Sequence, residues 1–295
     1  MISFLQIIVG IILGSVYAVS SVGFTLILGV MEIPNFAHGA IYMFAAHIFW
    51  ATFMVYGLNI LAAFSIALAV TTIICALIEF LLLRPLYKKR FRSFLIMIET
   101  FAIATFLEVT AGLLWGHSAK YIVIPIVSTT FLTIPFIEVS VSYVRLLVIG
   151  VAFICIILLQ AFVQKTYFGK AIRAAVQNRE AAALVGVNPN RVFTLTFMLG
   201  GCLTSISGIL GGILYSVSPP MGWSILIKSF IVVVVAGVGN IGNALLASIG
   251  LGLLEAILVN FVSPEVIYAY EFGILIIYFV LKFAWKHYKM RRGRT

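Results

Sequence analysis

The acidic side chains limit what chemistry this 295-residue chain can do. All nine are glutamate, and there is no aspartate. An aspartyl phosphate and a proton relay built on aspartate are therefore excluded. A Ser/His/Asp triad lacks its third member, and a Ser/His/Glu version has no supporting motif. His38, His47, His117 and His287 show no zinc-like spacing, and Cys75, Cys155 and Cys202 all fall inside apolar runs. No G-x-x-x-x-G-K-[ST] run occurs, so the chain has no phosphate-binding loop of its own. The expectation is a chain with no catalytic residue, no metal and no cofactor.

The glutamates that do stand out lie within oily sequence. Glu99 and Glu108 share the apolar segment 94–115. Nine residues at 100° each place them on opposite faces of a helix, so they cannot pair on one stripe. Ionisable groups inside a membrane span are suspects for function. Glu99 sits only five residues into its segment, which reads as an interfacial, solvated carboxylate. Glu79 lies five residues before Arg84 and should pair with it. Glu255, in segment 241–262, is a further suspect. A carrier driven by protons or sodium would need such groups, and the inventory is thin.

The elements that must position these residues follow from composition. The chain is 63% hydrophobic and 9% charged, with a mean hydropathy of +1.19. Soluble domains carry roughly 25% charged residues. Apolar runs fall at 4–30, 37–57, 60–83, 94–115, 143–164, 192–216, 225–239, 241–262 and 266–283. A spanning helix needs roughly 20 such residues, and the runs are continuous where a barrel strand would alternate. The fold class is all-α and polytopic, a single membrane domain over 1–295 with about 8–9 transmembrane or broken helices. The first run starts at Ile2 with no basic residue before it, and is expected to be a retained span.

Net charge is +10, yet its placement argues against nucleic acid. Sixteen of the nineteen basic residues cluster in 84–92, 165–191 and 282–294. Basic loops gather on the cytoplasmic side. That puts the N-terminus outside and the C-terminus in the cytoplasm, provided 225–239, short at 15 residues, counts as a crossing. Residues 117–142, with Pro125 and Pro135, read as an external loop able to hold short strands and a docking surface for an external partner.

Two stretches break the pattern at membrane depth, "MEIPNFAHGA" (31–40) and "SPPMGWSILIKSFIVVVVAGVGNIGNA" (218–244). Irregular backbone there is tolerated only where protein or water satisfies it, and paired interruptions mark transport sites between repeats. Small residues at four-residue spacing, Gly10, Gly14 and Ala18, then Gly208 and Gly212, predict close helix crossings. The polar stretch 165–191 breaks the oil differently. Phe168, Ala171, Ile172, Ala175 and Val176 form one helix face. Asn178 is placed to cap a second short helix from Arg179, with Glu180 in its first turn, Gly186 at its stop and Pro189 beyond. A helix this short needs support from its own bundle or from a partner.

Glu180-Ala181-Ala182, three residues, then Gly186 resembles the EAA-x₃-G signature of bacterial ABC importer permeases. "GKAIRAAVQNREAAALVGVNPNRV", "GFTLILGVMEIPNFAHGAIYM" and "KSFIVVVVAGVGNIGNALLASIGLGLLE" are similar to branched-chain amino acid permeases of the LivH type over most of the chain. Asn188-Pro189-Asn190 replaces the Ile-x-Leu-Pro ending of the maltose-type signature. The resemblance implies an inverted-repeat permease in the bacterial inner membrane. Its implied partners are a second homologous permease, two cytoplasmic ATPase subunits, an external solute-binding protein and membrane lipid. It assigns ATPase coupling to Asn178, Arg179, Glu180, Ala181, Ala182 and Gly186. It nominates Asn35, His38, Gly237, Gly239 and Gly242 for the translocation path. For Asn35 a cap on the helix near Phe36, and for the glycines simple packing, remain open, and His38 is as well suited to a structural hydrogen bond. The implied cargo is a branched-chain or other neutral amino acid. Urea or amide import, and an ion-coupled carrier, are the alternatives.

Overall fold

In the computed structural model of the chain, residues 4–124, 131–134, 139–263, 266–267, 269–278 and 280 are described. The basic tail at 282–294 and the prolines at 125 and 135 lie outside them. The apolar runs become helices because only intrasegment hydrogen bonds satisfy backbone amides in lipid. They are α1 (Phe4–Met31), α2 (Ala37–Trp50), α3 (Ile60–Leu77), α4 (Arg92–Trp115), α5 (Tyr143–Lys165), α6 (Tyr167–Gln177), α7 (Arg179–Leu184), α8 (Pro189–Leu214), α9 (Met221–Ala236), α10 (Ile241–Leu258) and α11 (Ala269–Tyr278). Among the described residues, seven helical segments are long and apolar enough to cross a membrane, while α9 and α11 are shorter apolar helices. A hairpin pairs β1 (Phe131–Ile134) with β2 (Val139–Ser142), antiparallel with Phe131 opposite Ser142.

Helices α1, α2 and α8 form the buried centre, with α3, α4, α5, α9 and α10 around them. The small-residue rows do what their spacing predicts. A Cβ on Gly10 or Gly14 would lie 2.7 or 2.6 Å from the Cα of Leu253 or Ile249, so α1 and α10 meet backbone to backbone. Gly208 faces the Tyr42 carbonyl and Gly212 faces Ala46, which seats α8 on α2.

Helix α3 ends in a π-helical turn, Ile78–Leu83, and a 3₁₀ turn, Arg84–Lys88. The π turn carries Glu79 into the protein. Its carboxylate accepts from Thr194 (2.6 Å) and Tyr87 (3.2 Å) and lies 3.6 Å from Arg84, as the sequence spacing predicted. The carboxylate is fully enclosed, a tie between α3 and α8 rather than an exposed pair.

The break at 31–40 is confirmed. Helix α1 stops at Met31, Glu32 takes a left-handed φ of 59°, and α2 starts only at Ala37. The amide of Phe36 donates to Thr100 (3.3 Å), eight residues or about 12 Å into α4. The chain therefore turns back into the bundle as extended backbone before α2 begins. The second interruption differs from the expectation. Residues 221–236 are one unbroken helix, and the irregular backbone lies at its two ends. It begins earlier than 225 because Pro219 and Pro220 suit a helix start. Helix α8 likewise starts at Pro189, capped by Asn188, which accepts from Asn190 (3.1 Å) and Arg191 (3.3 Å). Across the α8–α9 connection, Lys120 and Val217 exchange two backbone hydrogen bonds of 2.9 and 2.7 Å, strapping the 117–124 loop to it.

Candidate functional site

The polar stretch 165–191 is built from local signals. Thr166 caps α6 by accepting from the amide of Gly169 (3.0 Å). Gly169 is required there, because a Cβ would strike the carbonyls of Val163 and Phe162. Ala171, Ile172 and Ala175 are buried, whereas Phe168 and Val176 are exposed, so the buried stripe is narrower than the five-residue face predicted. Asn178 accepts from the amide of Ala181 (2.9 Å) and opens α7, with Glu180 in the first turn. The helix ends in a Schellman pattern. Val187 donates to the Ala182 carbonyl (3.0 Å) and Gly186 to that of Ala183 (3.1 Å), with Gly186 at φ 89°.

Within α7, Ala182 is buried against the bundle, while Glu180, Ala181 and Ala183 face outward. The three alanines therefore do not share one outward face. Two apolar residues beside them stand out instead: Leu184 is 89% exposed and Val185 79%. We expect Asn178→Ala to cost about 1 kcal/mol of helix stability. Amide hydrogen exchange should quicken over residues 179–184 and not in α8.

The α1–α2 break and the polar stretch 165–191 share a space. A polar cavity of about 580 Å³ is lined by Met31, Glu32, Arg92, Asn178 and Glu180, among others. Glu32 and Arg92 lie 3.8 Å apart at its wall.

The nominated path residues separate into groups. Asn35 is buried and accepts from the amide of Ala37 (3.0 Å), which is the capping role; its Nδ2 has no hydrogen-bond partner among the described residues. His38 is fully buried. It bonds Ser20 on α1 (3.0 Å) and Thr204 on α8 (3.1 Å), and its ring meets Phe24 edge-on at 5.0 Å. Ser20 also bonds Ser229 on α9 (2.9 Å), so His38 is the hub that joins four helices. Gly237 and Gly239 adopt φ of 87° and 79°, which only glycine takes without strain. Gly239 donates to Thr25 (2.9 Å) and lies close to Gly29. That loop therefore rests on α1 about 8 Å along the axis from Ser20. Gly242 stands apart in the first turn of α10, where Asn240 caps by accepting from Asn243 (3.1 Å).

The starts of α2 and α9 cross where Gly39 and Gly222 face each other's carbonyls. Beside them Trp223 donates to Glu108 (2.7 Å), and Phe101 packs between Phe36 and Trp223. The space enclosed here is about 10 Å³, room for one water. Glu99 lies on another face of α4, in an apolar groove with Ile78 and Phe106. The opposite-face prediction for the two glutamates therefore holds.

A family model described as "Branched-chain amino acid transport system / permease component" matches residues 6–281. The chain belongs to that family. Over 288 residues the permease is 28% identical to the high-affinity branched-chain amino acid transport system permease protein BraD of Pseudomonas aeruginosa, covering 92% of this chain and 91% of that one. It is 27% identical over 280 residues to the corresponding LivH of Escherichia coli K12, covering 91% and 90%. A solved structure, PsaBC from Streptococcus pneumoniae in complex with Fab, aligns at a TM-score of 0.51 with 14% identity, covering 92% of the permease and 88% of that chain. That likeness concerns the fold alone. The permease is a multi-pass inner-membrane protein and a component of a transport system.

One buried group escaped the sequence reading. Lys228, in the middle of α9, is 3% exposed and pairs with Glu255 on α10. The available signal was its isolation. Lys120, Arg145 and Lys228 are the three basic residues outside the clusters, and Lys228 alone sits in an apolar run between 192 and 262.

Proposed function

We propose that this permease is the membrane subunit of an ATP-driven importer that carries branched-chain or other neutral amino acids handed over by an external binding protein. Two cytoplasmic ATPases and a second permease complete the complex. The N-terminus lies outside and the C-terminal tail in the cytoplasm, a reading supported by the basic clusters at 84–92, 165–191 and 282–294. The observation that carries the reading is the short capped helix α7, which holds Glu180, Leu184 and Val185 out from the bundle. An apolar tip on a polar loop of an otherwise membrane-buried protein is what a partner groove would cover. Asn178 and Gly186 shape α7, Ala182 seats it, and Arg179, Glu180 and Ala181 contribute to docking.

Docking motion has a short route inward. Asn178 and Glu180 line the same cavity as Met31 and Glu32, where α1 breaks before α2. A displacement of α7 would act on that break, and through His38 on α1, α8 and α9 together. The path then opens where α2 and α9 cross, beside Asn35, with the 237–242 glycines forming the flexible cytoplasmic end. His38 holds the elements and does not contact the solute. The permease alternates between states, and ATP binding and hydrolysis in the partners bias their populations.

The test is uptake into proteoliposomes by the chain with its cognate partners. ATP-dependent accumulation of leucine, isoleucine or valine, absent without the ATPases, is the expected result. Uptake of urea or amides alone, or uptake by the isolated chain driven by an ion gradient, would overturn it.

A further inference from the structure

Lys228 is buried near mid-membrane with more acid around it than it can neutralise. Its partner Tyr17 stands halfway along the 28-residue α1, about 20 Å from either end. The Lys228 ammonium donates to Glu255 Oε1 and to the Tyr17 hydroxyl (2.9 Å), and Tyr17 donates in turn to Glu255 Oε2 (2.6 Å). Both oxygens of Glu255 are thus satisfied by charge-assisted or hydroxyl bonds. Glu271 on α11 is 1% exposed and points into the same cluster. Its Oε1 lies 3.8 Å from Lys228 Nζ, beyond hydrogen-bond reach, and neither of its oxygens has a hydrogen-bond partner among the described residues.

Among the described residues, Glu271 forms no second ion pair beside the one with Lys228. Tyr42 on α2 and Tyr215 after α8 are phenols that act on Tyr17, and Arg145 on α5 acts on Tyr215. Tyr278 on α11 spends its hydroxyl on the Val235 carbonyl (3.1 Å). One ammonium therefore faces two carboxyl groups. An unpaired ionised carboxylate in such surroundings neutralises by taking a proton.

We propose that Lys228, Glu255 and Glu271 form a proton-binding site inside the bundle, in which Glu271 carries the proton and Lys228 neutralises Glu255. The ligand is a proton, exchanged on the Glu255 side, whose side chain keeps 16% of its surface open. When the proton leaves, the ammonium is shared between two carboxylates, which draws α9 and α11 together. An importer powered by ATP has no need of such a site for its energy, so this goes beyond the proposed transport activity.

Infrared spectroscopy of the full permease complex in lipid tests this at neutral pH. Wild type minus Glu271→Gln should show the loss of one protonated-carboxyl C=O band that shifts in D₂O. If no such band is lost, Glu271 is ionised and the proposal fails. Glu271→Gln replaces a neutral group by a neutral isostere, so failure of this variant to accumulate also counts against it. Melting temperatures supply a second reading. Lys228→Met should destabilise the protein, Glu255→Gln in the same chain should restore it, and Glu271→Gln should not. Rescue by Glu271→Gln instead would place the charge on Glu271 and overturn the assignment.

Discussion

Gly39→Val is expected to prevent the bundle from closing. A Cβ at Gly39 would strike the Gly222 carbonyl, and one at Gly222 would strike the Gly39 carbonyl. The contact is backbone against backbone, so no rotamer change relieves it. Leu226 closes the remaining side, its Cβ 3.1 Å from the same point. Overpacking of this kind costs 1–3 kcal/mol in well-packed interiors, and the rigidity here puts the expected loss at about 3 kcal/mol. Purified material should lose its single size-exclusion peak and melt earlier in detergent. Gly242→Ala is the control. Its Cβ would meet only Asn240 Oδ1, at 3.8 Å, and alanine is the better helix former. That variant should melt at or above the wild-type temperature. Unchanged melting of Gly39→Val would mean that α2 and α9 do not cross at these glycines.

Leu184→Asp should do the opposite, sparing the fold and abolishing ATP-driven uptake. The side chain is 89% exposed, so the bundle gains almost nothing from it. Covered by a partner groove, a leucine contributes about 2 kcal/mol. An aspartate there must also shed its water, which brings the expected loss to about 3 kcal/mol, or roughly 100-fold in affinity. ATPase subunits should no longer co-purify, and uptake should fall with them, while melting stays at the wild-type temperature. Glu180→Lys should weaken docking in the same direction. It also reverses a charge in the positive first turn of α7, which costs ~0.3–1 kcal/mol of helix stability. Normal assembly by both variants would move the docking surface away from α7.

The contrast between α7 and the charge cluster shows how far sequence alone reaches in this protein. Every signal for α7 lies within twelve residues: Asn178 reaches Ala181, Gly186 supplies the left-handed turn, and Pro189 opens the next helix. Caps and turns are local geometry, so their residues can be read in order along the chain. The spans were legible for a related reason, since lipid forces each apolar run to satisfy its own backbone. The Asn35 cap and the Glu79–Arg84 pair belong to the same class, with partners two and five residues away.

Only the tertiary structure decided which polar groups share an interior. His38 is held by Ser20, 18 residues back, and Thr204, 166 residues on. Lys228 meets Tyr17 across 211 positions and Glu255 across 27. No periodicity links such positions, because the helices that bring them together are placed by packing elsewhere, at the glycine contacts between α1 and α10 and between α2 and α9. The same holds within α7, where the bundle wall, and nothing in the run of alanines, determines that Ala182 turns inward while Leu184 is left in the open. Helix type is a property of a segment and its solvent. Burial and pairing depend on which segments become neighbours.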